Sequence, residues 1–363
     1  MSKKRVLVVD DSAFMRSVIT RHVEKDDRLE LLDVARDGVE AVEKACALKP
    51  DVMTLDIEMP HKNGLEALTE IMEKCPTRVV MVSSLTKEGA EETMKALELG
   101  AVDFLPKAMD DSQKSIFSQG KVLQDKIYTA ATSANLTQKI TEPDAGSVRT
   151  SRSDAEIAPE RHAKPQPNSQ LRFKNAEVAL IGISTGGPKA LHGILPHMPD
   201  RLRVPLIIVQ HMPPNFTAAM AERLDRICKL TVREIENNMP LEANHVYIVP
   251  GGKQCTVTEK AGKKNFIVRD DDSATIYKPS VEVVAESLHN VYGGRVLAVM
   301  MTGMGSDGIK GFAALKQAGA YVIAQDEATC VVYGMPKAVV EKGLSNEVLP
   351  LDEIPDTIER LLS

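Results

Sequence analysis

Two polar residues that follow buried strands give this sequence its clearest potential for nucleophilic chemistry. Ser184 lies in the glycine turn 182–188 after the apolar run 178–181, and His211 follows the run 205–210. A serine in a G-x-S-x-G turn between strand and helix is presented at the carboxyl end of a sheet, where its hydroxyl can attack a carbonyl carbon. The serine needs a base. Because neighbouring strands lie about 5 Å apart, we expect His211 within hydrogen-bond reach of Ser184.

A carboxylate that can orient the histidine follows a third predicted strand. Asp307 lies in the glycine-rich turn 302–308, and we expect it to orient His211. The backbone N–H of Thr185 and an N–H of the turn at Met304 are the predicted oxyanion donors. Asp307 can also cap the helix that follows it, a role that Asp favours, and this role does not exclude catalysis.

Nucleotide binding is the main competing interpretation, because a glycine turn at a helix N-terminus also binds phosphates. The turn reads G-x-x-x-G-G rather than G-x-G-x-x-G, and Gln210 and His211 stand where a dinucleotide site has an acidic residue. A general α/β-hydrolase is disfavoured because its triad runs serine, acid, histidine. Cys330 lacks a histidine partner and is interpreted as a buried hydrophobe. The remaining histidines of this half are interpreted as structural or surface residues: His192, His197, His245 and His289.

A second group of polar residues follows the predicted strands of the N-terminal third. It comprises Asp10 and Asp11 after the first strand, Asp56 at the end of the third, Ser83 at the end of the fourth and Lys107 after the fifth. Parallel strands bring their carboxyl ends to one edge, where clustered carboxylates suit a hard cation such as Mg²⁺. Asp56 can accept a phosphoryl group there, while Mg²⁺ and Lys107 offset charge on its oxygens and Ser83 donates a hydrogen bond.

The elements that position both groups alternate between strand and helix patterns. Residues 1–127 contain five short β candidates separated by amphipathic stretches, which predicts a doubly wound (βα)5 domain. Residues 128–172 are rich in Ser, Thr, Pro, Gln and charge, which is typical of a flexible linker. Residues 173–363 resume the alternation, and their segment 255–269 is typical of a hairpin. The predicted fold class is α/β, with a second doubly wound, mainly parallel sheet that includes an antiparallel hairpin.

The composition narrows the classes of function. The 363 residues carry a net charge of −6, which gives no indication of nucleic-acid binding. Apolar runs are shorter than the ~20 residues that span a bilayer, and the N-terminus has no apolar segment of signal-peptide length, so no membrane insertion is expected. The five cysteines are scattered, odd in number and lack a C-x-x-C spacing, which favours a reducing cytoplasm and argues against a zinc site.

The N-terminal group, with Pro106 before its lysine, closely resembles the receiver domain of two-component response regulators. The resemblance covers residues 4–127. It implies phosphotransfer from a histidine kinase to Asp56, and it implies that Phe104 reorients together with Ser83 upon phosphorylation. The metal-site residues that it implies are Asp11, Asp56 and the backbone carbonyl of Glu58, with Asp10 acting largely through water.

Nearly the whole chain resembles the chemotaxis protein-glutamate methylesterase family. The motifs that carry the resemblance are Gly182-Ile-Ser184-Thr-Gly-Gly-Pro188, Gln210-His211-Met-Pro213, Val249-Pro-Gly-Gly-Lys253, Thr302-Gly-Met-Gly-Ser-Asp307-Gly308 and Tyr333-Gly-Met-Pro336. It implies hydrolysis of glutamate γ-methyl esters on methyl-accepting chemoreceptors and deamidation of selected receptor glutamines. It also implies a chemotaxis histidine kinase as phosphodonor and a cytoplasmic location at receptor arrays.

Within this family the site residues take particular roles. Ser184 is the implied nucleophile, His211 the general base and acid, Asp307 its orienter, and the N–H of Met304 the second oxyanion donor. Ester hydrolysis needs no metal, so Mg²⁺ is assigned to the receiver alone. We expect the unphosphorylated receiver to pack over the catalytic cleft. The non-enzymatic alternative is a regulator that acts by binding, in which replacing Ser184 changes nothing.

Overall fold

The computed structural model describes residues 2–107, 120–133, 176–270 and 276–362. It contains two parallel sheets, each with helices on both faces, and the predicted fold class is confirmed. The domain boundaries stay a prediction, and the helix that closes the first domain crosses residue 127. Most of the predicted linker lies outside the described residues. No described helix is long and apolar enough to cross a membrane.

The first domain is a five-stranded parallel sheet in the order β2-β1-β3-β4-β5. Its inner strands are continuous apolar runs because helices cover both faces, and side-chain caps such as Ser12 and Asp37 start its helices. The elements are β1 (Lys4–Val9), α1 (Ala13–Glu24), β2 (Leu29–Ala35), α2 (Gly38–Leu48), β3 (Val52–Asp56), α3 (Gly64–Lys74), β4 (Val79–Ser83), α4 (Lys87–Glu98), β5 (Asp103–Pro106) and α5 (Gly120–Thr132).

The second domain is a seven-stranded parallel sheet in the order β14-β13-β12-β6-β7-β9-β8. The chain leaves β6 towards β7 on one side and later returns to β12 on the other, which makes the carboxyl end of β6 a topological switch point. The elements are β6 (Val178–Ile183), α6 (Gly187–Ile194), β7 (Leu206–Gln210), α7 (Phe216–Ile227), β8 (Thr231–Glu234), β9 (His245–Ile248), β10 (Gln254–Lys260), β11 (Lys263–Arg269), α8 (Val281–Tyr292), β12 (Val296–Met300), α9 (Ile309–Gln317), β13 (Tyr321–Gln325), α10 (Met335–Glu341), β14 (Glu347–Leu349) and α11 (Ile354–Leu362).

Two details differ from the sequence analysis. The predicted hairpin forms, but β10 and β11 pair as a separate two-stranded sheet rather than inside the large one. This hairpin packs on α8 and contributes Val257 and Phe266 to the core on that face. The edge strand β14 was not predicted, because it is only three residues long and only partly buried.

Two cysteines of the first domain form a disulfide that the sequence analysis did not predict. Cys46 near the end of α2 is bonded to Cys75, the residue that ends α3, with 5.2 Å between their Cα atoms. The other three cysteines are free thiols. The sulfur atoms meet because α2 and α3 pack side by side, which residues 29 apart in sequence do not reveal.

Candidate active site

The turn after β6 presents Ser184 at the switch point of the large sheet. The Ser184 N–H donates to the Thr302 carbonyl at 2.9 Å, and the Ser184 carbonyl accepts from the Gly187 N–H at 2.8 Å. Gly186 has φ +78°, a conformation that glycine adopts without a Cβ clash. The backbone therefore reverses sharply into α6, and the serine side chain remains half-buried at the sheet edge.

His211 lies beside the serine because β6 and β7 are neighbours in register. The pairing of Ile183 with Gln210 ends both strands together, and the His211 N–H donates to the Ile183 carbonyl at 3.2 Å. The imidazole is only 10% exposed, and its Nε2 lies 2.8 Å from an oxygen of Asp307. Its Nδ1 is buried and has no hydrogen-bond partner among the described residues. With the proton held on Nε2 by the carboxylate, Nδ1 is the nitrogen that can accept one.

Asp307 is held by the start of α8, not by the helix that follows it. Its oxygens accept hydrogen bonds from Ser280 Oγ at 2.9 Å and from the N–H groups of Val281 at 2.6 Å and Glu282 at 3.3 Å. The helix after it, α9, has Gly308 as its N-cap residue and no side-chain cap, so the alternative in which Asp307 caps that helix is wrong. Burial alone raises the pKa of Asp307, but the hydrogen bonds from His211 and α8 outweigh it and hold the pKa below its ordinary value.

The two predicted oxyanion donors lie on either side of the serine. Thr185 directly follows it, and Met304 lies in the turn after β12. Within the described segments, the N–H of neither residue donates to a backbone carbonyl. The Met304 turn approaches closely, since a Cβ added to Gly303 would come within 2.7 Å of the Ser184 Cβ. Both amides are therefore available near the nucleophile.

Two further residues contact the site and were not assigned a role from the sequence. The buried Gln210 donates from Nε2 to the Ser184 carbonyl at 3.0 Å and to the His211 carbonyl at 3.2 Å, which ties the two strand ends together. Tyr277 stacks on the His211 ring. The position of Gln210 at a strand end, in the motif Q-H-M-P, could have indicated its role from the sequence. No local sequence pattern indicates a role for Tyr277.

The carboxyl edge of the five-stranded sheet in the first domain brings together Asp10, Asp11 and Asp56. Their carboxylate oxygens lie within 4.8 Å of one another. Lys107 Nζ lies 2.5 Å from Asp56 and 3.6 Å from Asp10. Burial is the main cause that raises the pKa of Asp56 to about 6, against the opposing effect of the lysine. The Asp10 Oδ2 atom is buried and accepts no hydrogen bond within the described residues. Crowded, incompletely satisfied oxygens of this kind fit a hard divalent cation.

Two of the other receiver positions, Ser83 and Phe104, contact groups outside this carboxylate cluster, whereas Glu58 lies next to it. Ser83 Oγ hydrogen-bonds the carbonyls of Gly89 at 3.1 Å and Ser84 at 3.2 Å. Glu58 is exposed beside the cluster, and its backbone N–H is directed at the Asp56 carboxylate. Phe104 is buried and points out of the first domain towards the second.

Helix α4 and its neighbours pack the first domain against α6 and α7 of the second. Phe104 stacks on Phe216 with ring centroids 4.6 Å apart, and Asn215 Nδ2 donates to the Leu85 carbonyl at 2.9 Å. On α5, Thr129 Oγ1 lies 4.0 Å from the sulfur of Met304. The first domain thus contacts the loops that carry the candidate catalytic residues. The contacts between the two domains include Glu98 with Arg223 and His192, Phe104 with Phe216, Leu85 with Asn215, and Thr129 with Met304.

The fold and these two sites define a class: a phosphoacceptor-type receiver joined to a second α/β domain with a serine–histidine–aspartate site. Comparisons with known families agree. Residues 6–116 match the response regulator receiver domain, and residues 179–358 match the CheB methylesterase family.

Comparison with known proteins places the chain more narrowly. It is 44% identical to a protein-glutamate methylesterase/protein-glutamine glutaminase of Lawsonia intracellularis over 99% of both chains, and 43% identical to one of Vibrio parahaemolyticus over 97% of both. The crystal structure of the Thermotoga maritima CheB methylesterase catalytic domain matches with a TM-score of 0.50 and 40% identity, covering 51% of this chain and 98% of that one. The chain belongs to the protein-glutamate methylesterase/protein-glutamine glutaminase family.

Proposed function

We propose that this protein is a phosphorylation-regulated serine hydrolase that removes methyl groups from glutamate γ-methyl esters on chemoreceptors. In the same site it deamidates selected receptor glutamines, and the two reactions together give chemotactic adaptation. The observation that carries the proposal is the hydrogen bond between His211 and Asp307 at the strand end next to Ser184. The family membership of the chain supports the same activity.

The first half-reaction forms an acyl-enzyme. Ser184 Oγ attacks the ester carbonyl carbon while His211 Nδ1 takes its proton, and the N–H groups of Thr185 and Met304 stabilise the oxyanion. Asp307 stabilises the imidazolium that forms. The tetrahedral intermediate then expels methanol, and the methoxide oxygen receives the proton from His211.

The second half-reaction regenerates the serine. His211 takes a proton from water, the hydroxide attacks the acyl carbon, and the proton passes to Ser184 as the ester bond breaks. The product is a free glutamate carboxylate. A glutamine amide follows the same course with ammonia as the leaving group, which gives the same product.

The receiver supplies regulation through Asp56. We propose that a chemotaxis histidine kinase donates the phosphoryl group to this carboxylate. Asp11, Asp56 and the carbonyl of Glu58 would hold Mg²⁺, with Asp10 close by, and a bound ion would offset negative charge on the transferred phosphoryl group. Lys107 adds a second positive charge at the same edge. Cytoplasmic receptor arrays are the proposed location of the protein.

In the unphosphorylated state, the receiver obstructs the active site. The contact of Thr129 with Met304 supports this, because it lies on a proposed oxyanion donor. Phosphorylation at Asp56 would loosen these contacts through the two switch positions, Ser83 and Phe104, both of which lie on strands or loops that lead to the domain interface.

Methanol release from methylated chemoreceptor fragments tests the proposal. Wild-type protein, Ser184→Ala and Asp56→Asn are compared with and without a small phosphodonor and Mg²⁺. We expect wild-type release to rise with the phosphodonor, Ser184→Ala to release nothing, and Asp56→Asn to keep its basal release without the rise. No release from wild-type protein would instead favour a regulator that acts by binding alone, and equal release from wild type and Ser184→Ala would exclude Ser184 as the nucleophile.

A further inference from the structure

Tyr277 covers one face of the proposed general base and takes no part in the proposed proton transfers. Its ring is stacked on the imidazole of His211, with centroids 4.4 Å apart and an angle of 10° between the planes. Rings in face contact leave their edges free. The stack therefore leaves Nε2 bonded to Asp307 and Nδ1 without a hydrogen-bond partner among the described residues.

Contacts at both ends fix the tyrosine in this position. Its backbone carbonyl accepts a hydrogen bond from Nε2 of the buried Gln254 at 2.8 Å, and Gln254 Oε1 accepts from the Ser280 N–H at 3.1 Å. At the other end the phenol oxygen lies against Gly305, where an added Cβ would come within 2.8 Å. The ring thus spans from His211 to the turn that carries Met304.

We propose that Tyr277 is a positioning residue that holds the imidazole of His211 against Asp307 and favours its protonated form. This inference rests on the proposed function, in which His211 becomes an imidazolium during acyl transfer. The face of an aromatic ring is electron-rich and attracts a cation more strongly than a neutral ring. The stack therefore stabilises the imidazolium more than the imidazole, in addition to restricting rotation of the histidine side chain.

The phenol of Tyr277 is a neutral group when its ring stabilises the His211 imidazolium. Burial, together with the nearby Asp307 carboxylate, raises the pKa of Tyr277 above its ordinary value. Asp307 and Tyr277 are titratable side chains that contact the His211 imidazole directly. Because Asp307 is unchanged in a Tyr277 variant, a comparison of the Leu and Phe variants isolates the loss of the stacked ring.

Steady-state methanol release by the full-length protein between about pH 5 and pH 9 tests the inference. Tyr277→Phe keeps the ring, Tyr277→Leu removes it, and Ile276→Ala changes the adjacent side chain, which is 86% exposed. We expect the Phe and Ala variants to stay within about twofold of wild type. We expect the Leu variant to lose roughly tenfold in kcat with little change in KM, and its rise in kcat/KM to move to lower pH.

An NMR titration of His211 gives a second readout that needs no substrate. A lower His211 pKa in Tyr277→Leu, but not in Tyr277→Phe, supports the inference. An unchanged pKa and pH profile, even with a lower plateau, would reduce Tyr277 to a packing residue and overturn it. Failure of the proposed function can be distinguished from failure of this inference. If the proposed function is wrong, wild-type protein releases no methanol in a Ser184-dependent manner. The NMR titration still tests Tyr277 in that case, because it needs no substrate.

Discussion

At the scale of single residues, Asp307 is a nearly buried carboxylate that stays ionised because it has four donors. They are His211 Nε2, Ser280 Oγ and two backbone N–H groups at the start of α8. The N-terminus of a helix carries partial positive charge, so the helix and the histidine both favour the ionised form. One residue thus fixes the tautomer of His211 and anchors α8 beside the turn after β12.

Replacing Asp307 by Asn tests the first of these roles. The asparagine amide has nearly the same shape as the Asp307 carboxylate but lacks the negative charge that stabilises the His211 imidazolium. Its NH₂ group can also select the wrong tautomer of His211. We expect a roughly 10³- to 10⁴-fold fall in kcat for methanol release, while phosphorylation at Asp56 proceeds as in wild type. A fall of less than tenfold would show that His211 does not depend on this carboxylate.

The same variant tests the second role through the pH dependence of stability. The pKa of Asp307 is lowered from 3.8 in the folded protein, so its contribution to stability is present above that pH and is lost as the pH falls through the folded value. We expect the difference in unfolding free energy between wild type and Asp307→Asn to be largest near neutral pH and to shrink below about pH 4. Urea unfolding at several pH values measures it, with the exposed Asp352→Asn as control.

At the scale of elements, the close approach of two strand ends depends on Gly303. A Cβ there would lie 2.7 Å from the Ser184 Cβ and 2.6 Å from the Met335 sulfur, so Gly303→Ala must displace the turn or the nucleophile. We expect kcat to fall by about 10- to 100-fold. Gly193→Ala is the matched control: it lies near the end of α6 with no atom within 4 Å of its added Cβ, and it should leave activity unchanged.

The disulfide joins two helices of the first domain. Because Cys46 and Cys75 are separated by 29 residues, closing this loop in the unfolded chain should contribute about 3–4 kcal/mol of stability. We expect a reductant to shift the unfolding transition of this domain to lower denaturant in wild type and in Cys228→Ser. The double variant Cys46→Ser/Cys75→Ser should unfold at the same denaturant concentration with and without reductant. A reductant-independent transition in wild type would contradict the cross-link.

The sequence was informative wherever a local pattern determines the structure. Apolar runs predicted the main strands, and the prediction that the strands before Ser184 and His211 are neighbours is confirmed by their pairing. The expected hydrogen bond between the two side chains stays a prediction, since His211 Nδ1 has no partner among the described residues. Contacts that depend on tertiary packing could not be predicted from the sequence. Asp307 binds the start of α8, which is remote in sequence, and the stacking of Tyr277 depends on a segment held by Gln254. The pairing of the hairpin outside the large sheet likewise has no local signal.

At the scale of the whole molecule, the contacts between domains connect the proposed switch residues of the receiver to the loops that carry the candidate catalytic residues. Phe104 and the loop after Ser83 both touch the first residues of α7, Asn215 and Phe216, which follow His211 by one short loop. Asn215 has φ +72°, an uncommon conformation for a residue other than glycine, and its side chain bonds the receiver. A movement of these two receiver positions would therefore act directly on the loop that carries the proposed base.

An ion-pair cluster at the end of α4 is the polar contact best placed to hold the two domains together. Glu98 accepts hydrogen bonds from Nε and Nη2 of Arg223 on α7, and His192 on α6 lies 3.3 Å from it. Both helices begin shortly after the loops of the candidate catalytic residues, since α6 follows Ser184 and α7 follows His211. One carboxylate of the receiver thus connects to both helices, beside Met94, Leu97, Met220 and Leu224, which belong to one hydrophobic cluster.

Reversing the charges of this pair tests whether it keeps the unphosphorylated enzyme inactive. Glu98→Arg and Arg223→Glu each place like charges across the domain interface, which disfavours the closed arrangement. We expect each to raise basal methanol release several-fold without a phosphodonor, and to reduce the further rise that phosphorylation brings. The double variant restores opposite charges in reversed order and should return basal release towards that of wild type.

The exposed Arg226→Glu on the same helix is the control, because it makes the same charge change outside the pair. Basal release in this variant should match wild type. If both single reversals leave basal release unchanged, or if the double variant is as active as the singles, the pair does not hold the domains closed. The stack of Phe104 on Phe216 would then be the next contact to test as the one that holds the domains together.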